Sequence, residues 1–209
     1  APTTTLTVSN SSFNENGKNV IAASSSGGPS VANHQDGDGI GVQALDSGYS
    51  DVSVDLTNVQ ANGNARHGVH VEETDSGDVD FEANGLTASG NGDQGLHLSE
   101  RGQGSLVATL KFVATWANAD DGAFIEELEA GNLELMVQDS SANWNGDDGY
   151  DFDQLGGGGD LDASFTRFQA IGNEHDGIAG EQNGSDSFEV RIGWSTIYLN
   201  DNDAVDLRS

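Results

Sequence analysis

The sequence contains no cysteine, a single methionine, two prolines and only two lysines, Lys18 and Lys111. Without cysteine, disulfides and thiolate chemistry are excluded. No apolar run approaches the roughly 20 residues that a membrane-spanning helix needs, so we expect no membrane insertion. Seven basic residues stand against 35 acidic ones, which gives a formal charge of -28. Because nucleic acid binding needs a basic surface, the sequence also predicts no nucleic acid partner.

The acidic excess fits cations, cationic partners or a salty environment. With 29 glycines and only 34% hydrophobic residues, the composition would also suit a disordered chain, and the hydrophobic pattern has to decide against that. The chain begins with APTTT and no methionine. This start indicates either a removed signal peptide or a boundary inside a longer chain. We expect a secreted, extracellular or cell-surface location.

The chain repeats itself about every 27 residues. A small residue recurs at steps of 29, 27, 27, 27, 28 and 27, at Gly39, Gly68, Gly95, Gly122, Gly149, Gly177 and Ala204. Most of these are preceded by an asparagine four residues earlier, at Asn64, Asn91, Asn118, Asn145, Asn173 and Asn200. Internal repeats of 20–50 residues are typical of stacked repeat architectures.

Each repeat contains alternating apolar positions, which are typical of half-buried strands. One segment reads Val52-x-Val54-x-Leu56, and its copies recur in every later repeat. A shorter segment follows it, and a third begins at the small residue, as in GYDF at 149–152. There Tyr150 and Phe152 are predicted to point inward and Asp151 outward. Each repeat is therefore three short strands, and stacking of the repeats would bury their apolar faces.

These features predict an all-β protein, a right-handed parallel β-helix (solenoid) of about seven to eight coils of about 27 residues, with three short strands per coil. We treat residues 1–209 as one β-helix domain, with irregular N-terminal coils over 1–47 and regular coils over 48–209. In the first coil, Leu6, Val8, Phe13 and Val20 should point inward, and Asn16 should join the asparagine column. A loop or missing strand is expected around residues 23–31.

The pattern N-x-x-x-G-[VIL]-x-[VIL] resembles the right-handed parallel β-helix repeats of the pectin-lyase-like superfamily. The resemblance covers nearly the whole chain and concerns architecture. It does not imply one activity, because that superfamily contains lyases, hydrolases, epimerases, adhesins and structural modules.

Acidic residues cluster in the turn before each small residue. Stacked about 4.8 Å apart, equivalent carboxylates would repel one another unless cations or salt screen them. Oxygen-rich turns suit Ca²⁺, and a solvated acidic edge is the alternative. His70 and His97 lie on adjacent coils, and we interpret them as a solvent-exposed pair rather than a metal site. The calcium ligands that we predict are Asp93, Asp120, Asp121, Asp147, Asp148 and Asp176.

We assign no catalytic residues. Among the bases, only Arg167 and Arg191 fall on neighbouring coils and roughly one face, and Arg167 is explained more simply by an ion pair with Asp139. Among 35 acids, a carboxylate pair of the kind that glycosidases use can always be found, so such a pair does not identify an active site. The near-constant repeat length leaves little room for the long loops that wall a catalytic cleft.

Large aromatic residues gather on one predicted outer side. Such a patch would suit sugar rings or lateral contact with a protein, and partial burial against turns is the alternative. The surface that we predict consists of Phe112, Trp116, Trp144, Trp194 and Tyr198.

Neither end of the chain carries an evident cap for the solenoid. We expect the ends to stack on other copies, head to tail, as a homopolymer, or to continue into the rest of a longer solenoid. The sequence thus favours a non-enzymatic extracellular structural protein: a self-assembling filament or surface-fibre subunit, or an adhesin module. The alternative is a carbohydrate-active enzyme resembling polysaccharide lyases, or a glycan-binding module with a polysaccharide partner. The end-stacking residues would be Leu6, Val8, Phe13, Phe188, Val190, Ile192, Val205 and Leu207.

Overall fold

The structure, a computed structural model, describes residues 3–14, 37–44, 51–74, 76–184 and 186–209. Across these ranges the chain forms strands and no helix, and so offers no long apolar helix that could cross a bilayer. In chain order the strands are β1 (Thr3–Ser12), β2 (Ile40–Ala44), β3 (Asp51–Gln60), β4 (Val69–Glu73), β5 (Val79–Ser89), β6 (Leu96–Glu100), β7 (Leu106–Lys111), β8 (Ala114–Trp116), β9 (Ala123–Glu127), β10 (Leu133–Gln138), β11 (Ser141–Asn143), β12 (Tyr150–Gln154), β13 (Leu161–Thr166), β14 (Gln169–Ile171), β15 (Ile178–Gln182), β16 (Phe188–Gly193), β17 (Thr196–Tyr198) and β18 (Val205–Arg208).

The strands form two parallel sheets that run the length of the molecule. Sheet A has 11 strands, and sheet B has seven, in the order β18-β15-β12-β9-β6-β4-β2. Each strand pairs with its copy one repeat away, for example Leu133 with Leu161 and Leu106. The protein is therefore an all-β parallel solenoid of about six turns, and the predicted fold class is confirmed.

Most layers contain the three strands that the sequence predicted, for example β7, β8 and β9. In the earlier layers the first two strands are continuous. The 11-residue β5 pairs along its first half with β7 and along its second half with β8. Sheet A therefore begins as one long strand per layer and divides into two shorter strands at a corner.

The number of turns is slightly lower than expected, and the described strands of the N-terminal region contribute to a single layer. Strand β1 pairs directly with β3 at a register of 48 residues, Thr3 opposite Asp51, and β2 pairs with β4. Both β1 and β2 thus belong to the first layer. Asn16, Val20 and the segment 23–31 lie outside the described residues.

The core is built from columns of inward side chains. Leu135 pairs with Ala108 on one side and Ala163 on the other, so large and small residues alternate in this column. The inward positions from Val52 to Ile178 are almost fully buried. Burial of each Leu or Val contributes about 1.5–3 kcal/mol, so the core of this stack depends on many equivalent contributions.

Aromatic residues fill the core of the later layers. Tyr150 and Phe152 are fully buried, as their alternation predicted, whereas Asp151 faces outward and is half-buried. The ring centroid of Tyr150 lies 5.9 Å from that of Phe165 and 5.0 Å from that of Phe168, both edge to face. Such pairs add about 0.5–1.5 kcal/mol each beyond their buried area.

Candidate functional site

The recurrent Asn and Gly positions of the repeat hold the layers together. Each Asn side chain donates to the Asn one layer further on, as in Asn91 Nδ2 to Asn118 Oδ1 at 2.9 Å and Asn118 Nδ2 to Asn145 Oδ1 at 3.0 Å. A Cβ added to Gly122 would lie 2.4 Å from the carbonyl oxygen of Gly149. These columns are structural, so chemistry has to be sought in the side chains between and after them.

The residues that could carry chemistry lie on the outer face of sheet B. The turn before each strand supplies two side chains, and the strand supplies two more that point outward. We call this surface the acid–histidine face. It consists of the turn residues Arg66, His67, Asp93, Gln94, Asp120, Asp121, Asp147, Asp148, His175 and Asp176, and the strand residues His70, Glu72, His97, Phe124, Glu126, Asp151, Asp153 and Glu181.

The inner turn carboxylates are tied to the backbone of the next layer. Asp121 Oδ1 accepts the backbone N–H of Asp148 at 2.9 Å, and Asp148 Oδ1 accepts that of Asp176 at 2.6 Å. Asp176 Oδ1 in turn accepts the N–H of Asp203 at 2.6 Å. These bonds offset part of the like-charge repulsion in the column, and they give the buried acids a structural role of their own.

Four of the six predicted calcium ligands fall into two overlapping groups. Asp120, Asp121 and Asp147 bring carboxylate oxygens within 4.8 Å of one another. Asp147 and Asp148 form a second group with His175, a residue that the sequence did not indicate. Asp93 neighbours Asp120 and also lies beside two basic groups, with its Oδ2 at 3.9 Å from Arg66 Nη2 and 3.6 Å from His67 Nε2.

His175 lies among three carboxylates. Its Nδ1 is 2.9 Å from Asp148 Oδ1, 3.4 Å from Asp176 Oδ2 and 3.7 Å from Asp147 Oδ1. The hydrogen bond to Asp148 and the neighbouring charges raise the pKa of this exposed histidine. It occupies the turn position of Asp120 and Asp147, so a search for that position in each repeat would have found it.

Outward acids on β12 extend the acidic area along the strand. Burial, then the charges of Asp153 and Asp148, raises the pKa of Asp151 to about 8. Burial and the charge of Asp120 raise the pKa of Asp121 to about 8, and burial with Glu181 raises that of Asp153 to about 6. A shallow cleft of about 120 Å³ lies here, lined mainly by acids and by Arg208. Asp121 and Asp151 therefore hold protons at neutral pH and would release them to a bound cation, whereas Asp153 takes up its proton only below about pH 6.

The histidines at the other end of the face are not a solvent-exposed pair, and that interpretation was wrong. His70 is buried and His97 is mostly buried, with their rings stacked at 4.7 Å and almost parallel. His67, which the sequence did not single out, packs against both rings at 4.8 and 5.1 Å. Burial, then the neighbouring His70, lowers the pKa of His67 to about 3, so its ring is neutral.

A column of buried acids and amides closes each sheet B strand, and the sequence analysis missed it. Glu73, Glu100, Glu127 and Gln154 are fully buried at equivalent positions in consecutive layers. Gln154 Nε2 donates to Glu127 Oε2 at 2.7 Å. Glu127 Oε1 accepts the backbone N–H groups of Glu129 and Gly131 at 3.0 and 3.2 Å. This column organises the turn that leads back to sheet A.

The predicted aromatic surface is exposed. Trp194 is 90% exposed, and Phe112, Trp116, Trp144 and Tyr198 are each about half exposed or more. Phe112 and Trp194 occupy equivalent corner positions with φ of 53° and 59°, a left-handed conformation that turns their side chains outward. These side chains are therefore accessible to solvent, although Trp144 also packs over Gly172 of the next layer.

The arginines that a lyase-like site would need are engaged in ion pairs. Arg167 Nε and Nη2 lie 2.5 and 2.6 Å from the two carboxylate oxygens of Asp139, as the sequence predicted. Arg191 Nη1 lies 2.6 Å from Asp162, and its Nη2 lies 2.6 Å from Glu189.

Comparisons of the chain with protein-family models, with curated proteins and with solved structures found no match.

Proposed function

We propose that this protein is a non-enzymatic, extracellular structural solenoid whose C-terminal layer stacks head to tail on the first layer of a second copy of the chain. The observation that carries the proposal is the open state of that layer. Strands β16, β17 and β18 each pair on one side only within the described chain. Among the described residues, no further layer covers their apolar side chains.

The two ends of the stack differ in burial. Ile192 is 40% and Leu207 is 38% exposed, whereas their counterparts in the first layer, Val8 and Val42, are buried. Phe188, Val190 and Val205 are also only partly buried. Each of these apolar residues would gain stabilisation from a further layer, at roughly 25 cal/mol for each Å² removed from water. This stabilisation would come mainly from the C-terminal layer, because Val8 and Val42 of the first layer are already buried.

The columns are in register for a head-to-tail contact. Through the strand pairings, Leu6 shares a column with Val190, and Val8 shares one with Ile192. A neighbouring first layer placed on the last layer would therefore continue both columns. Because a head-to-tail contact does not close, it would build an open filament.

The shape of the chain supports a structural rather than a catalytic role. From β5 onward the layers follow one another at near-constant register, and few inserted residues are left to build walls. The larger described cleft, about 380 Å³, lies on the turn between sheets and is lined largely by acids and other polar residues. Enzyme clefts for small molecules are mostly apolar with a few polar groups, which is the reverse arrangement.

The test is sedimentation velocity over a concentration series, together with electron microscopy, on the wild type and two variants. Ile192→Asp places a charge in the end layer, and Met136→Asp places the same charge on an outward residue of similar exposure in the middle of the stack. We expect concentration-dependent filaments for the wild type and Met136→Asp, and at least tenfold weaker assembly for Ile192→Asp. Assemblies that stop at a dimer, or monomers at high concentration in salt, would contradict head-to-tail stacking.

The exposed aromatic surface favours a second candidate, a glycan-binding module. Trp116, Ile171 and Tyr198 lie in one outward column, and the Trp144 indole lies over Gly172 of the next layer. Sugar rings stack on such surfaces. Acidic and neutral polysaccharides titrated into the protein should quench tryptophan fluorescence, and Trp144→Ala should weaken the effect. Unsaturated products detected by absorbance would instead indicate lyase activity.

We also propose that the acid–histidine face binds Ca²⁺ through Asp120, Asp121 and Asp147. What supports this is the closeness of their oxygens and the hard carboxylate ligands that Ca²⁺ prefers. In a structural protein, such an ion would neutralise repulsion between layers.

A further inference from the structure

We propose that His67, His70 and His97 form a binding site for a divalent transition-metal ion of the zinc class. The three side chains each offer a ring nitrogen, and these atoms lie within 4.8 Å of one another. The site is separate from the carboxylate groups assigned to Ca²⁺ and has a different ligand chemistry. It is independent of end-to-end assembly, because it lies in the second and third layers.

The repeat itself brings the rings together. His70 on β4 pairs in register with His97 on β6, which stacks the two rings one layer apart. His67 comes from the turn before β4 and meets both rings edge-on. In the same outward column, the first layer has Gly41, and the fourth has Phe124, whose ring lies 5.3 Å from that of His97. The three histidines therefore occupy a limited stretch of the column.

Buried ring nitrogens without hydrogen bonds are the second observation. His67 is 3% exposed, yet its Nδ1 has no hydrogen-bond partner in the described chain, and neither ring nitrogen of His97 has one. Buried polar atoms in native proteins nearly always have a partner, and an unfilled ion site is one of the recognised explanations for an exception. A metal ion would satisfy Nδ1 of His67 and one ring nitrogen of His97.

The groups around the rings resemble the outer shell of a metal site. Asp38 Oδ2 lies 3.6 Å from His70 Nδ1, and Glu126 Oε1 lies 3.5 Å from His97 Nε2. Glu126 is itself held by Ser99 Oγ at 2.9 Å and Arg101 Nη2 at 2.8 Å. Metal-bound histidines commonly donate their second nitrogen to such carboxylates, which fixes the tautomer and the ring orientation.

These contacts indicate which nitrogens would bind the metal. Arg66 Nη2 lies 3.1 Å from His67 Nε2 and occupies that nitrogen. Nδ1 of His67, Nε2 of His70 and Nδ1 of His97 would then face the ion. Metal–nitrogen bonds of about 2.0–2.1 Å in a tetrahedron bring the nitrogens to about 3.3 Å from one another. The rings of His70 and His97, which are stacked almost parallel, must therefore rotate out of the stack to converge on one ion. The fourth position would remain open to water.

Imidazole ligands select the metal class. Three neutral imidazoles suit Zn²⁺, Ni²⁺ or Cu²⁺, whereas Ca²⁺ and Mg²⁺ prefer oxygen ligands. The nearby carboxylates of Asp38, Asp93 and Glu126 counter the positive charge of Arg66, Arg101 and the incoming ion. The site is therefore suited to a cation in spite of the two arginines.

The experiment is titration of metal-free, untagged protein with Zn²⁺ by calorimetry and with Co²⁺ by visible absorption. We expect one high-affinity ion per chain and the Co²⁺ spectrum of a four-coordinate nitrogen-rich site. His67→Gln and His97→Gln should each weaken Zn²⁺ binding at least tenfold. His175→Gln is the matched control, since it removes the other described histidine and should leave the affinity unchanged.

Two further measurements test the proposal. Circular dichroism checks the fold of each variant, and if one fails to fold, the wild-type Co²⁺ spectrum still decides. Excess Ca²⁺ should not displace the Co²⁺. An octahedral oxygen-type spectrum, displacement by Ca²⁺, or Zn²⁺ binding that His175→Gln abolishes would place the ion among the carboxylates and overturn the proposal.

Discussion

At the scale of single residues, Glu100 shows how a buried carboxyl group can fit inside a β-solenoid when it carries a proton. It is fully buried between Glu73 and Glu127 of the adjacent layers. Its Oε1 accepts the backbone N–H of Gly102 at 2.8 Å, whereas its Oε2 has no donor among the described residues. A proton on Oε2 would supply a donor to a neighbouring Glu. Burial, with the side chains of Glu73 and Glu127, raises the pKa of Glu100 to about 9.

Glu100→Gln should stabilise the protein at alkaline pH. Because burial raises the pKa of Glu100 in the folded protein, protonated Glu100 contributes to stability. This contribution is complete below the unfolded-state pKa of 4.5, and it is lost as the pH rises towards 9. Glutamine keeps an acceptor for Gly102 and replaces the proton with a permanent donor, as Gln154 already does beside Glu127. We expect a melting temperature about 5 °C higher than wild type at pH 8 and little change at pH 5.

The control for this substitution is Glu134→Gln, at an exposed outward position on β10. It removes the same charge without touching the buried column. Thermal melts of all three proteins at pH 5 and pH 8 provide the comparison. A Glu100→Gln variant that is less stable than wild type at pH 8 would mean that Glu100 is ionised in the folded protein.

Tyr150→Phe should leave stability unchanged or raise it by about 1 kcal/mol. The Tyr150 hydroxyl is fully buried and has no hydrogen-bond partner in the described chain. Removing a buried polar group that lacks a partner eliminates a desolvation cost, while the ring contacts with Phe165 and Phe168 remain. Urea denaturation measures the change. A loss of more than 1 kcal/mol would reveal a partner for the hydroxyl, such as an internal water molecule.

At the scale of strands, register decides which side chains enter the core. In β10, Leu135 is 1% exposed between Ala108 and Ala163, while the next residue, Met136, is 43% exposed between Thr109 and Ser164. Side chains alternate along a strand, so a shift of one residue would exchange these two environments.

Leu135→Asp should destabilise the fold by about 4 kcal/mol or more, because it removes a buried leucine and leaves a carboxyl group without a partner. Met136→Asp makes the same change one residue later, on the outside, and should cost about 1 kcal/mol or less. Chemical denaturation of both variants tests the register directly. Equal effects at the two positions would contradict the inward assignment of Leu135.

At the same scale, the asparagine column joins each layer to the next. Asn118 Oδ1 accepts the backbone N–H and the side-chain amide of Asn91 at 3.1 and 2.9 Å. Its Nδ2 donates to Asn145 Oδ1 at 3.0 Å and to the Ala88 carbonyl at 3.1 Å. All four bonds are buried, and they join three consecutive layers.

Asn118→Ala should therefore lower the free energy of unfolding by about 2–4 kcal/mol, since it leaves several buried groups unsatisfied. Asn183→Ala, at an exposed position after β15, is the control and should stay within about 0.5 kcal/mol of wild type. Denaturant midpoints give both values. An Asn118→Ala variant as stable as the control would show that water replaces the amide without cost.

At the scale of the whole molecule, charge dominates. The formal charge of -28 is distributed along a stack whose equivalent acids lie one layer apart. Some of the repulsion is relieved by protonation, as the raised pKa values of Asp121, Asp151 and Asp153 indicate. Cations would relieve it in the same way, and the two effects compete for the same oxygens.

Ca²⁺ should raise the melting temperature more at pH 8 than at pH 5. At pH 5, Asp121, Asp151 and Asp153 are protonated in the folded protein, and the ion must displace those protons. Binding to the folded state alone gives a stabilisation that grows with free Ca²⁺. Thermal melts with CaCl₂ and with NaCl at matched ionic strength distinguish binding from screening. Equal stabilisation by the two salts would leave screening as the whole effect.

Asp147→Asn tests the location of this ion. The residue belongs to both carboxylate groups that surround the turn. Its substitution should reduce the calcium-dependent part of the melting shift, whereas Asp80→Asn, on the exposed outer side of β5, should not.

The repeat period, the inward positions of the strands, the Asn and Gly columns and the exposed aromatic surface were all determined by the sequence itself. They follow from local periodicity: a period of two assigns the faces of a strand, and a period near 27 places equivalent residues one above another. The position of His175 was readable in the same way.

Only the tertiary structure decided what the outward residues do, because that depends on distances across layers and on burial. It moved His70 and His97 from solvent into a buried cluster and brought His67 to them, although the three are separated by up to 30 residues in the chain. It also placed Glu100 inside the wall and put β1 beside β3. Alternation cannot reveal such features, since a polar residue at the end of a strand has the same sequence pattern whether it faces water or another layer.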